Sequence, residues 1–161
     1  MIVYHGSIDA ITTPDINHSF RNLDFGKGFY VTTVLEQAQR WSKRKALLTN
    51  ASQAFISEYE IADSFQELNV LKFDENLDEW IDFVCSCRDG SDIYKRYDII
   101  MGKVADDKVY RVIDMYRKGI WDKDRALSEI KIYDTYDQIA FVSQKAIDKC
   151  LKYKACMEVQ L

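Results

Sequence analysis

The apolar and polar positions of the chain follow two spacings in turn, one typical of strands and the other of helices. Short apolar or alternating runs predict strands at 2–5, 29–32, 54–61, 68–73, 97–102, 138–142 and 153–161. Apolar residues that recur every three or four positions predict helices at 33–49, 75–88, 106–118, 122–130 and 143–151. Residues 8–22 show little periodicity and contain the only proline, so we expect an ordered loop there.

The order of these segments favours an α+β fold. Strands and helices do not alternate in regular βαβ units, and the strands at 54–61 and 68–73, with polar residues between them, predict an antiparallel hairpin. Thr33 and Glu36 have the spacing of a capping box, so the first long helix should begin near Thr33. The alternation in 153–161 predicts a half-buried strand. The apolar face of the first long helix should comprise Leu35, Ala38, Trp41, Ala46 and Leu48.

Composition indicates one globular domain, residues 1–161. The chain has 47% hydrophobic and 30% charged residues, which is ordinary for a protein with a sizeable core. The N-terminus has no export signal and no window approaches the ~20 apolar residues of a membrane span, so we expect a cytoplasmic protein with no membrane partner. The net charge of −4 gives no overall attraction for nucleic acid. Lys43-Arg44-Lys45 is a local basic patch or, more commonly for such a triplet, a solvated helix face.

Neither the cysteines nor the acidic residues predict a metal site. The four cysteines, Cys85, Cys87, Cys150 and Cys156, lack CxxC spacing and a His-rich context, so reduced, partly buried thiols are expected. Asp98, Asp106 and Asp107 suggest a divalent metal or helix capping, and capping is the more common role of acids at a strand end and a helix start.

The most informative stretch is 22–33, Asn-Leu-Asp-Phe-Gly-Lys-Gly-Phe-Tyr-Val-Thr-Thr. Gly26 and Gly28 allow a tight turn or a close approach of the backbone to a ligand. The pair precedes its predicted strand instead of following one, so the dinucleotide fingerprint of a Rossmann fold does not apply. By itself a Gly-x-Gly pair is most often an ordinary turn.

Three features taken together are more specific: Tyr4-His5-Gly6-Ser7, Gly28-Phe29-Tyr30, and Trp41 eleven residues after Tyr30. This combination resembles the mono-ADP-ribosyltransferases of the diphtheria-toxin and poly(ADP-ribose)-polymerase type. The chain is similar to a bacterial family of uncharacterised proteins with an ADP-ribosyltransferase-like domain, often expected to be toxins of toxin–antitoxin pairs. The similarity extends into 98–107 and 136–141, and so spans most of the chain.

The resemblance implies two mainly antiparallel sheets flanking an NAD cleft, with helices around it. It also implies transfer of ADP-ribose from NAD, the substrate, to a macromolecular acceptor, either protein or nucleic acid, with no metal required and an antitoxin protein as a partner. The catalytic residues would be His5, Tyr30 and Gln138. The NAD contacts would be made by His5, Gly6, Ser7, Arg21, Gly28, Phe29, Tyr30 and Trp41.

The chemistry of the transfer explains these roles. The Gly6 backbone would pair with the nicotinamide carboxamide, His5 would bind a ribose hydroxyl, and Tyr30 and Trp41 would stack on the two faces of the nicotinamide ring. Superfamily members usually carry a glutamate at the third catalytic position, whereas Gln138 offers a hydrogen bond without a charge. Asp137 is the nearest carboxylate in sequence.

Two other interpretations stay open on the sequence alone. The chain is a catalytically weak or inactive module that binds NAD or ADP-ribose, with Gln138 as the sign of the loss, or an interaction protein with no NAD site. In the second case His5 is a satisfied core histidine, Tyr30 and Trp41 are core aromatics, and Gln138 is a strand residue at a sheet edge.

Overall fold

The computed structural model describes residues 1–19, 21–75, 77–133 and 136–161. Its strands are β1 (Ile2–Ser7), β2 (Phe29–Val31), β3 (Ala54–Ile61), β4 (Val70–Lys72), β5 (Ile99–Lys103), β6 (Asp137–Phe141) and β7 (Leu151–Val159). Its helices are α1 (Leu35–Thr49), α2 (Leu77–Arg88), α3 (Asp107–Arg117), α4 (Lys123–Ile130) and α5 (Gln144–Cys150). Short 3-10 turns lie at Ile16–His18 and Ile93–Arg96. Phe20 of the predicted loop and Asn76 of the predicted second helix lie outside the described residues.

The strands form two sheets, which confirms the α+β prediction. One sheet has the order β1-β3-β7 and is antiparallel throughout, and the other has the order β2-β6-β5-β4 with a single parallel pair, β4 and β5. The predicted hairpin between β3 and β4 is wrong, because these strands belong to different sheets. The connection 62–69 is longer than the roughly two to five residues that close a hairpin, and it carries the chain from one sheet to the other.

One pair of residues joins the two sheets. The Tyr4 N–H donates to the Thr32 carbonyl at 2.8 Å, and the Thr32 N–H donates to the Tyr4 carbonyl at 3.0 Å. An apolar core between the sheets holds Val3, Phe29 and Tyr59, and a second core lies between the four-stranded sheet and helices α2, α3 and α4. Side chains along β2 therefore alternate between the two cores.

Helix α1 packs on β1 through small side chains, which corrects the predicted face. Of the five predicted residues only Ala38 and Ala46 are buried, whereas Leu48 is 67% exposed. The remaining buried positions of α1 are Gln37 and Ser42. Gly6 explains why α1 presents small side chains to β1, because a Cβ atom on Gly6 would lie 2.0 Å from the Ala38 carbonyl oxygen. Only small residues permit so close an approach of the β1 backbone.

Helices α3, α4 and α5 begin within one residue of the predicted positions. Asp106 caps α3 through its side chain, the more common of the two roles considered for it, and Asp122 and Ser143 cap α4 and α5 in the same way. The capping box at Thr33 is wrong: α1 begins at Leu35 after Val34, and no side chain caps it. The Thr33 hydroxyl instead donates to the Asp137 carboxylate at 2.6 Å.

The C-terminal strand β7 exists but is not half-buried. It lies at the edge of its sheet, and Tyr153 and Met157 are 36% and 37% exposed. The alternation is interrupted because the register with β3 shifts between Glu58 and Tyr59. Among the described residues, no helix combines the length and the apolar character needed to cross a membrane. All four cysteines are free thiols, as predicted.

Candidate active site

His5 lies at the fork where β1 and β2 separate. Its Nδ1 atom lies 2.6 Å from the Tyr30 carbonyl oxygen, so the imidazole connects the two sheets directly. A carbonyl only accepts hydrogen bonds, and Nδ1 must therefore carry the proton. The other nitrogen, Nε2, is left with its lone pair and is a hydrogen-bond acceptor.

The His5 imidazole is buried and neutral. It is 6% exposed and stacks on the Phe29 ring with 4.4 Å between ring centroids, and the His18 ring lies 6.3 Å away. Burial, and secondarily the Lys45 ammonium, lower the pKa of His5 to about 3. Within the described part of the chain, Nε2 is buried without a hydrogen-bond partner. A buried acceptor without a donor is costly, so this atom requires a hydrogen-bond donor from outside the described residues.

The backbone of Gly6 also faces the fork between β1 and β2. Residues two apart in a strand direct their N–H and C=O groups to the same edge. Because Tyr4 directs both groups to β2, Gly6 does so as well, just beyond the point where β2 has turned away. Outside the β1–β3 ladder, the hydrogen bonds among described residues do not involve Gly6. This edge can offer one donor and one acceptor to a flat amide.

Helix α1 contributes the side of the fork opposite β2. Trp41 is half-buried and lies one turn before Lys45 on the same helix face. The helix meets β1 at Gly6, since a Cβ there would lie 2.9 Å from the backbone nitrogen of Ser42, the residue after Trp41. The Lys45 ammonium lowers the pKa of His5, and Arg21 and Asp9 act electrostatically on Lys45 in turn. Ser7 is buried at the far end of β1.

Tyr30 points away from His5, into the core on the helix side of its sheet. Its ring is 8% exposed, and its hydroxyl donates to the Gly26 carbonyl at 2.6 Å and accepts from the Phe25 N–H at 3.0 Å. Burial, and secondarily Asp24, raise the pKa of Tyr30 well above its usual value. The structure thus brings His5 against the Tyr30 backbone but not against its ring, and Tyr30 and Trp41 do not enclose an open slot.

Gln138 shares the Tyr30 side of the sheet and contacts a buried carboxylate. Its Nε2 donates to Asp24 Oδ2 at 2.9 Å and to the Lys103 carbonyl at 3.0 Å. Asp24 is 4% exposed and also pairs with Arg88. The sequence analysis did not identify Asp24 or Arg88. The signal available was an acid between two apolar residues, two positions before Gly26.

The other acids near the fork have structural roles. Asp137 accepts from the Thr32 hydroxyl at 2.9 Å and from the Thr33 N–H and hydroxyl, so three hydrogen bonds hold it at the β2–α1 junction. Asp98 accepts from Ser143 and from the Asn69 N–H, so it fastens two loops. The described residues contain no group of three or more His, Cys, Asp or Glu side chains suited to a metal ion.

Both motif glycines are required for packing. A Cβ on Gly26, whose φ is +79°, would lie 2.2 Å from the Tyr94 ring. A Cβ on Gly28 would lie 2.5 Å from the Phe141 carbonyl oxygen. The Gly28 N–H donates to Ser19 Oγ at 2.9 Å. The turn thus fixes where β2 begins, and it acts on the fork indirectly, by placing Phe29 under His5.

At the fork, Nε2 of His5 is shielded from solvent. Two surface cavities of about 490 Å³ each lie beside Lys27 and Lys95 and beside Asp63 and Asp148. Neither is lined by His5, Tyr30 or Trp41. A ligand that reaches Nε2 of His5 therefore requires the residues around it to move.

Fold and site together define a two-sheet α+β protein with a buried, neutral histidine where its sheets meet. A family model described as Protein of unknown function (DUF3990) matches residues 1–153. The chain therefore belongs to that family. Neither the search of curated proteins nor the search of solved structures found a match.

Proposed function

We propose that the chain is an NAD-dependent mono-ADP-ribosyltransferase-like protein that transfers ADP-ribose to a macromolecular acceptor. One observation carries the proposal: the His5 imidazole is buried and neutral, and its acceptor nitrogen has no partner among the described residues. A lone-pair nitrogen selects a donor from a ligand, such as a sugar hydroxyl, and rejects a phosphate or carboxylate oxygen. His5 therefore suits a ribose hydroxyl of NAD.

The neighbouring groups fit the rest of the substrate. The outward N–H and C=O of Gly6 match the carbonyl and amino group of a carboxamide. Trp41 supplies an aromatic face for the nicotinamide ring, and Tyr30 supplies the other face once its ring becomes accessible. Arg21 and Lys45, which act on each other electrostatically, would supply positive charge for the diphosphate.

The reaction breaks the bond between the nicotinamide nitrogen and ribose C1′, and the bonding electrons leave with nicotinamide. A lone pair of the acceptor forms the new bond to C1′, and the acceptor loses its proton to water. Positive charge develops on the ribose in between, so a group that binds the 2′-hydroxyl at that moment lowers the barrier. We assign that contact to Gln138.

The biological setting is part of the same proposal. We propose a toxin that acts in the cytoplasm and is held inactive by an antitoxin protein. The four free thiols support a reducing compartment. The shielding of His5 Nε2 supports control by a partner, because a protein that keeps α1 against β1 keeps NAD out.

Incubation with labelled NAD and a cell lysate tests the proposal. Transferred label should be lost on digestion with only one of two enzymes, protease or nuclease, and that enzyme identifies the acceptor class. NAD should also raise the melting temperature of the chain. Absence of label transfer would refute transferase activity, and absence of a thermal shift as well would refute the NAD site.

A matched pair of tryptophan variants tests the site. Trp41→Ala should weaken NAD binding, by about five- to tenfold for the loss of one stacked ring. Trp121→Ala is the control, since Trp121 is also half-buried but stacks on Arg125 and packs against the helix-side core. Equal NAD affinity in the two variants would contradict the assignment of Trp41.

A second candidate, a catalytically inactive module that binds NAD or ADP-ribose, has its own support. Gln138 lacks the charge of a glutamate, and the Tyr30 ring is engaged in the core. This candidate predicts an NAD-dependent thermal shift without any transferred label.

A further inference from the structure

Asp24 is the most heavily hydrogen-bonded side chain beside the fork. Its carboxylate accepts from Arg88 Nε at 2.9 Å and from Arg88 Nη2, and from the Ala105 N–H at 2.9 Å. Its fourth donor is Gln138 Nε2. We call these four residues the Asp24 cluster. Arg88 in turn lies over the Tyr110 ring, 4.8 Å from its centroid, so α2 and α3 hold the cluster from behind.

The Asp24 cluster fixes which way the Gln138 amide faces. Both atoms near its nitrogen, Asp24 Oδ2 and the Lys103 carbonyl oxygen, are acceptors only, so the NH₂ group must point at them. The carbonyl oxygen Oε1 is then the free end of the side chain. Within the described part of the chain, no hydrogen bond engages Oε1.

The same short segment holds Tyr30. The Tyr30 hydroxyl bonds to Phe25 and Gly26, the two residues that follow Asp24. One turn of the chain thus positions two of the three proposed catalytic side chains. Movement of Asp24 would displace both of them together.

A carboxylate behind an amide also changes the amide. An N–H bonded to a negative oxygen shifts electron density toward the carbonyl end of its own group, and this cooperative effect is larger in a buried, low-dielectric site. Oε1 of Gln138 therefore becomes a stronger acceptor than the oxygen of a solvated glutamine. It acquires part of the negative character that a glutamate would have at this position.

We propose that Asp24 is a positioning residue for the transfer: it orients the Gln138 amide, leaves Oε1 to bind the ribose 2′-hydroxyl, and polarises that oxygen as charge develops on the ribose. The inference rests on the proposed function. It explains how a glutamine serves where related enzymes use an acid. A purely structural ion pair between Asp24 and Arg88 is the alternative.

Three variants separate the two roles: Asp24→Asn, Arg88→Met and the double variant. Stability should fall in each single variant, because a buried polar partner is left unpaired, and should recover in the double variant. Turnover should follow a different order. Asp24→Asn and the double variant should both lose about tenfold or more in kcat, so that kcat stays low in the double variant although its stability recovers. KM for NAD should change by less than about threefold throughout, because the lost interaction acts in the transition state.

The outcomes are distinguishable when label transfer is measured at a temperature where every variant is folded. If wild type transfers label and the double variant has the wild-type kcat, Asp24 is only structural and this inference fails alone. If wild type transfers no label, the proposed function fails and the inference fails with it. If Arg88→Met does not fold, comparing the kcat of the double variant with that of wild type still tests the role of Asp24, because neither of these two proteins contains an unpaired buried charge.

Discussion

Replacing Gln138 with glutamate should destabilise the folded chain at neutral pH. The substitution removes both donors of the Gln138 amide and places a second carboxylate where Nε2 now lies, 2.9 Å from Asp24 Oδ2. From the sequence alone, a glutamate at this position would improve a transferase. The structure predicts that the buried Asp24 opposes it.

Two limits bound the loss of unfolding free energy in Gln138→Glu. Two unit charges 2.9 Å apart repel by about 6 kcal/mol at an effective dielectric constant of about 20. The introduced carboxyl avoids this by taking a proton, which costs about 4 kcal/mol at pH 7 for an ordinary glutamate pKa of about 4.3. The cost of protonation is the smaller of the two and sets the upper limit. The positive charge of Arg88 lowers the total further, so the expected loss in unfolding free energy is about 3 kcal/mol at pH 7.

The loss should depend on pH in a known direction. The introduced carboxyl has a raised pKa in the folded state, so between pH ~4.3 and that pKa the folded state binds a proton that the unfolded state does not. The deficit relative to wild type therefore grows as pH rises. At pH 5.5 it should be no more than about 1.6 kcal/mol.

Urea unfolding at both pH values measures this difference. Gln53→Glu is the matched control, because Gln53 also donates to a carboxylate, that of Glu158 at 3.3 Å, but is exposed. Its cost should stay below about 0.5 kcal/mol and vary little with pH. If Gln138→Glu is as stable as wild type at pH 7, the contact between Gln138 and Asp24 does not exist.

Two further predictions concern the fork. Gly6→Ala should lower the free energy of unfolding by about 3 kcal/mol, because the new methyl would lie 2.0 Å from the Ala38 carbonyl oxygen and neither backbone can move away freely. An unchanged midpoint of urea unfolding would contradict the α1–β1 packing. His5 should stay neutral, with its proton on Nδ1, when long-range ¹H–¹⁵N spectra are recorded down to about pH 4, since burial lowers its pKa to about 3. Because the unfolded imidazole binds a proton near pH 6.5, His5 should reduce stability progressively as pH falls from there, by up to about 1.4 kcal/mol per pH unit, and His5→Gln should lack this slope. Titration of the folded imidazole near pH 6.5 would show that it is solvated.

Elements whose signal is local were predicted well. The strand at 54–61, the cap at Asp106 and the start of the helix near 143 follow from neighbouring residues alone, and the structure reproduces them. The pairing of β3 with β4 was wrong because a strand pattern contains no information about its partner. The cap at Thr33 was wrong because its hydroxyl is taken by Asp137, which is distant in sequence.

The candidate site shows the same difference between features set by neighbouring residues and features set by residues distant in sequence. His5, Gly6 and Tyr30 were predicted as site residues because they stand in compact motifs, and the structure brings His5 to the backbone of Tyr30. Asp24 was not singled out, although it lies inside the motif. Its meaning depends on Arg88 and Gln138, which approach it only in the folded chain.

The hydrogen bond from His5 to the Tyr30 carbonyl has a consequence for how the site is probed. One nitrogen of the imidazole connects the two sheets, and the other is the ligand acceptor of the proposed function, so a substitution at His5 removes the contact between the sheets along with the proposed ligand contact. Mutagenesis of His5 alone therefore cannot separate its structural contact from its ligand contact. Changing the ligand separates them: dinucleotides that lack single ribose hydroxyls leave the contact between the sheets intact, and a selective loss of affinity for one of them would identify the hydroxyl that Nε2 accepts.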